Sequence, residues 1–157
     1  MRRKDREITE KQELIEILKK NQVCRMAMCD GSRPYVLPLN YGFEETEEGV
    51  VFWFHSASEG RKLEVLKANP LVCIEVDCEH QAVPNEIACK YGFLFASVLA
   101  EGSAQIVEDP AEKLHGLSCF MKGQTGEEDF RFDPAIVERV KVLRVDCKTL
   151  TGKRRSH

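Results

Sequence analysis

"VVFWFHSASEGRKLEVL", residues 50–66, changes character at its centre. Val50, Val51, Phe52, Trp53 and Phe54 form an apolar run that suits a buried strand. A polar, basic segment follows: His55, Ser56, Ser58, Gly60, Arg61 and Lys62. Leu63, Val65 and Leu66 then return at helical spacing. The pattern predicts a strand over 49–55 and a helix over 56–68. Ser56 and Glu59 suit a capping box at its start, and Asn69-Pro70 ends it.

Working outward, residues 71–78 alternate apolar and acidic, with Val72, Ile74 and Val76 against Glu75 and Asp77, which is a strand. On the N-terminal side, strands are expected over 23–29 and 34–43, joined by the hairpin signal Asp30-Gly31. Pro34 and Pro38 cannot donate to a ladder, so the second of these is an edge or a bulged strand. A helix is expected over 9–20, with Thr9 and Gln12 as a capping box and Leu14, Ile15, Ile17 and Leu18 as its buried stripe. Beyond residue 78 the expectation is a loop over 79–90 and a long strand over 91–107 that bends at Gly102. Asp109-Pro110 opens a helix to about residue 122. A polar loop over 123–133, a short helix opened by Asp133-Pro134 and a closing strand over 140–147 complete the chain. Six strands follow one another through hairpins or single helices, without regular βαβ alternation. That predicts one mainly antiparallel barrel with peripheral helices over residues 1–157.

Composition narrows the class. The 157 residues are 43% hydrophobic and 31% charged, the balance of a soluble globular protein. A net charge of -3 argues against a general nucleic-acid binder, and the basic ends at 1–6 and 153–155 read as solvated tails. No apolar run is long enough to span a membrane, and no signal-peptide core opens the chain. The expected compartment is the reducing cytoplasm, with the seven cysteines mostly free. Cys73, Cys78, His80 and Cys89 share a short window but lack a close Cys-x-x-Cys pair. They read as buried or incidental, and no metal ligands are assigned.

The strand-to-helix junction carries the chemistry. A helix start leaves backbone N–H groups unpaired and is electropositive, so it stabilises an anion. His55, Ser56, Arg61 and Lys62 add donors and positive charge there, and phosphate is the natural guest. The alternative is purely structural: a capping serine and two solvated cations. "PYVLPLNYGF", residues 34–43, places Pro38, Leu39, Asn40 and Tyr41 on a strand with unpaired backbone groups. Such a strand suits the rim of a planar heterocycle, or is an ordinary edge. No GxGxxG turn or P-loop is present.

These segments resemble the FMN-binding split-barrel superfamily, also called pyridoxamine 5'-phosphate oxidase-related, and within it the nitroimidazole-resistance-type flavoproteins. The resemblance rests on "MRRKDREI" (1–8), "VCRMAM" (23–28), "YVLPLNYGF" (35–43), "FHSASEGRKLEVLKANP" (54–70), "VDC" (76–78), "YGFLFASVLAEGSAQIVEDPAEK" (91–113) and "TGKRR" (151–155). It implies a six-stranded split barrel and a homodimer with two FMN sites at the subunit interface. Pro38, Leu39, Asn40 and Tyr41 would lie along the flavin ring. His55, Ser56, Arg61 and Lys62 would bind the ribityl phosphate, and Ser97 and Val98 would reach the site from the partner. Thr151, Gly152 and Lys153 would lie near it. Phe93, Phe95 and Val98 are candidates for interface or core.

The function this implies is an FMN-dependent oxidoreductase that passes electrons from reduced flavin to a small, flat acceptor such as a nitroaromatic. The alternatives are a flavin or haem carrier on the same barrel and a binder of another phosphate ligand such as pyridoxal phosphate. No catalytic residue is assigned. Cys24 and Cys29 have no activating partner in sequence.

Overall fold

The structure is a computed structural model that describes residues 3–156. In chain order its elements are β1 (Glu7–Ile8), α1 (Lys11–Lys19), β2 (Val23–Asp30), β3 (Arg33–Asn40), β4 (Gly42–Glu45), β5 (Val50–Ser56), α2 (Arg61–Ala68), β6 (Leu71–Val83), β7 (Gly92–Val107), α3 (Pro110–Thr125), α4 (Pro134–Arg139) and β8 (Lys141–Arg155). All pairings are antiparallel, in the order β3-β2-β6-β7-β8-β5-β4, with β1 added to the far end of β8. The mainly β expectation stands, but with eight strands rather than six.

Much of that difference lies in one run. The expected strand over 34–43 breaks at Tyr41. Its first part pairs with β2 and its last with β5, at opposite ends of the sheet order. A single residue therefore joins the two edges of the sheet, which brings them side by side and leaves a seam between them. Tyr41 fills the seam. It is 1% exposed, its hydroxyl donates to the Leu18 carbonyl at 2.7 Å, and its ring sits 5.6 Å from that of Phe52. Both Pro34 and Pro38 lie on β3, an edge strand as expected. Gly31 takes a φ of 62° in the tight turn between β2 and β3.

β5 explains why its sequence does not alternate. Val50, Phe52 and Phe54 face the barrel core with Leu14, Ile15, Ile17 and Leu18 of α1. Val51 and Trp53 face outward but are covered by α3 through Leu117. A strand buried on both faces reads as a continuous apolar run. α3 docks closely because Gly116 meets Trp53 and Gly42 meets the Cys119 carbonyl. A Cβ at either position would lie 2.4 Å from Trp53 Cε3 or 2.1 Å from that carbonyl oxygen.

Several local expectations are corrected. Ser56 does not cap α2. It is the buried last residue of β5, paired with Lys141, and strand pairing wins over the local capping pattern. The N-cap is Gly60, at φ 137° and ψ 161°, a conformation that glycine alone adopts without strain. Nor does Thr9 cap α1, whose N-cap is Glu10 without a side-chain bond. Asp109 and Asp133 do cap their helices, accepting from the backbone N–H of Glu112 and Ala135. The expected loop over 79–90 begins only after Val83. β6 continues through a register shift between Cys78 and Gln81, where Glu79 has a φ of 60°. Glu79 is held there by Lys20 at 2.5 Å and Arg154 at 3.2 Å.

The C-terminal basic stretch is no solvated tail. Lys153–Arg155 belong to β8, which is twice the length expected. Met1 and Arg2, which begin the other expected tail, lie outside the described residues. The bend at Gly102 is present as a register shift between Glu101 and Gly102. Among the described residues no helix is long and apolar enough to cross a membrane.

Candidate functional site

Arg61 opens α2 and is already engaged. Its Nε and Nη2 donate to one carboxylate oxygen of Asp30, at 3.0 and 2.7 Å. Its Cζ stands 4.3 Å from the centre of the Tyr35 ring. This surface ion pair contributes little stability by itself. Its consequence is positional: it ties the start of α2 to the tip of the β2–β3 hairpin and to the first half of β3.

Lys62 and His55 differ from Arg61. Burial lowers the Lys62 ammonium, with no carboxylate opposing the shift. Burial and then the charge of Lys62 lower the His55 imidazole. The His55 ring is also fixed edge-on against Phe120, 4.6 Å between centres. Burial holds Lys62 back from charging, and Lys62 adds to the burial that holds back His55, so an anion beside the two would oppose both shifts. The unpaired N–H groups at the start of α2 lie next to Lys62 in the chain.

A pH effect follows from His55. Its folded pKa lies below the ordinary value of about 6.5. The stability it contributes is therefore present above about pH 6.5 and is lost as pH falls through the lowered folded value. Without ligand, His55→Asn is expected to flatten the melting temperature against pH just below 6.5. An unchanged curve would assign that dependence to other groups.

The ring-binding candidates divide by strand geometry. Pro38 and Asn40 are exposed on β3, Leu39 packs against the core, and the Tyr41 ring is inside. The Tyr41 ring fills the seam from the inside, and burial pushes its phenol up. Asn40 is locked into the seam, donating to Gln124 Oε1 at 2.8 Å and to the Gln22 carbonyl at 3.2 Å. Gln124 in turn donates to the Tyr41 carbonyl at 2.8 Å. On β7, side chains alternate. Ser97 is half-buried on the outer face beside Asp77 and Lys153, whereas Val98 is fully buried in the core. The Val98 side chain therefore belongs to the barrel core. Thr151, Gly152 and Lys153 pair with Leu99, Val98 and Ser97, which puts that stretch beside Ser97. Of the interface candidates, Phe93 is half-exposed and Phe95 half-buried.

The cationic cluster and Asn40 do not share one pocket within a single chain. From Tyr35, under Arg61, to Asn40 the distance along β3 is about 17 Å. A groove of about 1010 Å³ opens at the seam, bordered by Arg25, Tyr41, Asp77, His80, Lys122 and Gln124. None of His55, Ser56, Arg61 or Lys62 borders it. Its walls come from segments far apart in the chain, so no local motif marks it.

The thiols sort by depth. Cys24 and Cys147 are buried and their thiols are pushed up to about 12 by that burial. Cys24 is thereby inert as a nucleophile. Cys73, Cys78, His80 and Cys89 do not converge. Cys73 and Cys78 lie on β6, Cys89 is exposed in a 3-10 turn, and His80 pairs with Asp77 at 2.8 Å. Iodoacetamide at neutral pH is expected to label Cys29 and Cys89 in the folded protein, and Cys24 and Cys147 only after unfolding. Peptide mass mapping checks this; native labelling of Cys24 would contradict the buried β2 face.

Comparison with known proteins agrees with the fold. The pyridoxamine 5'-phosphate oxidase family model matches residues 10–154, and the chain belongs to that family. A candidate 5-nitroimidazole antibiotic resistance protein from Bacteroides thetaiotaomicron is similar, with 32% identity and a TM-score of 0.83, over 94% of this chain and 86% of that one. A flavocytochrome from Azotobacter vinelandii has the same fold at 21% identity and a TM-score of 0.82, over 100% and 72% of the two chains. An FAD-binding protein from Mesorhizobium loti matches at 23% identity and a TM-score of 0.69, over 96% and 98%. No curated protein matches significantly.

Proposed function

We propose that this protein is a cytoplasmic FMN-binding flavoprotein and an oxidoreductase that delivers electrons from the reduced flavin to a small organic acceptor such as a nitroaromatic. The observation that carries the reading is the pair of half-buried Lys62 and its exposed neighbour His55. Both are lowered by burial, and no carboxylate offsets this at Lys62. That donor set fits a phosphate at one end of a long ligand. Pro38 and Asn40 offer the β3 edge to its ring end. The flavin supplies the redox chemistry when bound, and the chain binds, orients and tunes it. The relative from Bacteroides supports a nitroaromatic acceptor, and the relatives named for flavin support the cofactor class.

The protein is proposed to act as a homodimer. β3, β2, β6 and β7 present an outer face on which Val36 and Leu99 are exposed, with Phe93 further along β7. Edges and apolar faces of this kind are commonly covered by a second copy. Ser97 and Lys153 lie on that face, where a partner's ligand can meet them. Light scattering is expected to give a dimer at micromolar concentration, and a monomer would contradict a shared site.

A carrier is the second reading, because a flavocytochrome and an FAD- and haem-binding protein share the fold. The two readings separate by turnover. The flavin-loaded protein is reduced anaerobically and mixed with a nitroaromatic. Fast, repeated reoxidation with product formation is expected of an oxidoreductase. Reoxidation no faster than that of free reduced flavin would leave the carrier.

A further inference from the structure

We propose that Glu44, His115 and Cys119 form a zinc site on the outside of the barrel, with three protein ligands and a fourth position open to solvent. The site is separate from the flavin reading and does not depend on it. Among the described residues, these are the three side chains whose ligand atoms all converge within 4.8 Å of one another. Glu44 lies on β4. His115 and Cys119 lie one turn apart on α3, so both point from the same helical face.

Geometry favours a cation over a proton relay. His115 Nε2 lies 3.0 Å from Glu44 Oε2 and 3.5 Å from Cys119 Sγ, and Sγ lies 3.7 Å from the same Oε2. A relay uses the two different nitrogens of an imidazole, one toward the acid and one toward the thiol. Here both neighbours face Nε2. With zinc bonds of about 2.0–2.1 Å to nitrogen and oxygen and about 2.3 Å to sulfur, one face of a tetrahedron has edges of about 3.4, 3.6 and 3.6 Å. The observed triangle therefore needs shifts of only a few tenths of an ångström to accept the ion.

The surroundings are built to hold these ligands. Trp53 Nε1 donates to Glu44 Oε1 at 3.0 Å, which occupies one carboxylate oxygen and leaves Oε2 for the metal. The Trp53 and His115 rings meet edge to face, 5.5 Å between centres. Gly116 and Gly42 let α3 approach β5 and β4 closely enough for the three ligands to meet. Lys122, the nearest cation on α3, is turned to Glu128. Thiolate, imidazole and carboxylate together suit zinc among the common divalent ions. His115 and Glu44 are 71 residues apart in sequence, so ligand spacing cannot reveal the site.

Cobalt(II) is the probe. The purified full-length protein is stripped with chelator and titrated with cobalt, then displaced with zinc. One cobalt per chain is expected, with intense four-coordinate d–d absorption and a thiolate-to-cobalt charge-transfer band. Cys119→Ser is expected to abolish the charge-transfer band. His115→Ala, at an exposed position that leaves the fold intact, is expected to weaken binding at least about tenfold. Cys78→Ser and Cys89→Ser are expected to leave both signals unchanged. No charge-transfer band in the wild type, binding unaffected by His115→Ala, or a band lost with Cys78 or Cys89 and kept without Cys119, would each overturn the assignment.

Discussion

Trp53→Ala is expected to lower the unfolding free energy by about 3–5 kcal/mol. Trp53 is 1% exposed and is the largest side chain in the layer between the barrel and α3. Its six-membered ring meets Gly116, its Nε1 donates to Glu44, and Arg144 Cζ lies 5.8 Å from its centre. Removing it opens a cavity that α3 cannot close, because α3 is also held by Gly42 against the Cys119 backbone. For a chain of this length the loss corresponds to roughly 6–20 °C in melting temperature. Trp53→Phe keeps most of the packing and loses the N–H donor, and should cost only about 1 kcal/mol beyond the volume lost. Urea unfolding of the three proteins is the measurement. A change below about 1 kcal/mol for Trp53→Ala would mean that α3 is not fastened through this residue.

Lys62→Ala is expected to weaken FMN about tenfold or more while leaving riboflavin nearly unchanged. The two ligands share the ring and the ribityl chain and differ only in the phosphate. A charge-assisted hydrogen bond contributes roughly 1.5–3 kcal/mol, and about 1.4 kcal/mol is a factor of ten in affinity. Arg61→Ala should have the smaller effect on that ratio, because Asp30 already holds the guanidinium. It should loosen α2 from the β2–β3 hairpin and so weaken both ligands together. The N–H groups at the start of α2 remain in both variants, and some preference for FMN should survive. Equal losses for FMN and riboflavin in Lys62→Ala would show that the lysine shapes the fold and does not read the phosphate.

The strands were legible wherever a single local pattern decided them. The alternation over 71–78, the Asp30-Gly31 turn, the apolar run before His55 and the Asp-Pro pairs at 109 and 133 all mark their elements without reference to the rest of the chain. What escaped depends on distant partners. β1 is two residues long and exists because Gly152 and Lys153 lie opposite it. The break at Tyr41 follows from its burial between α1 and Phe52. β6 passes Cys78 because Lys20 and Arg154 hold the bulge at Glu79. At the site, the cluster around residue 60 was visible as composition, but its division of labour was not. Arg61 is spent on Asp30, 31 residues away, and Lys62 is left half-buried without a counter-charge. The same topology turns the Tyr41 and Val98 side chains inward, which neither the edge-strand reading nor the resemblance resolved.

Equilibrium titration of the purified protein with FMN, FAD and riboflavin, together with its absorption spectrum as isolated from cells, tests the flavin reading most directly. The expected result is two flavin bands, saturation at one FMN per chain in a dimer, and clear preference for FMN over riboflavin. Retention of a Soret band without flavin bands, or no saturable binding of any of the three flavins, would contradict it.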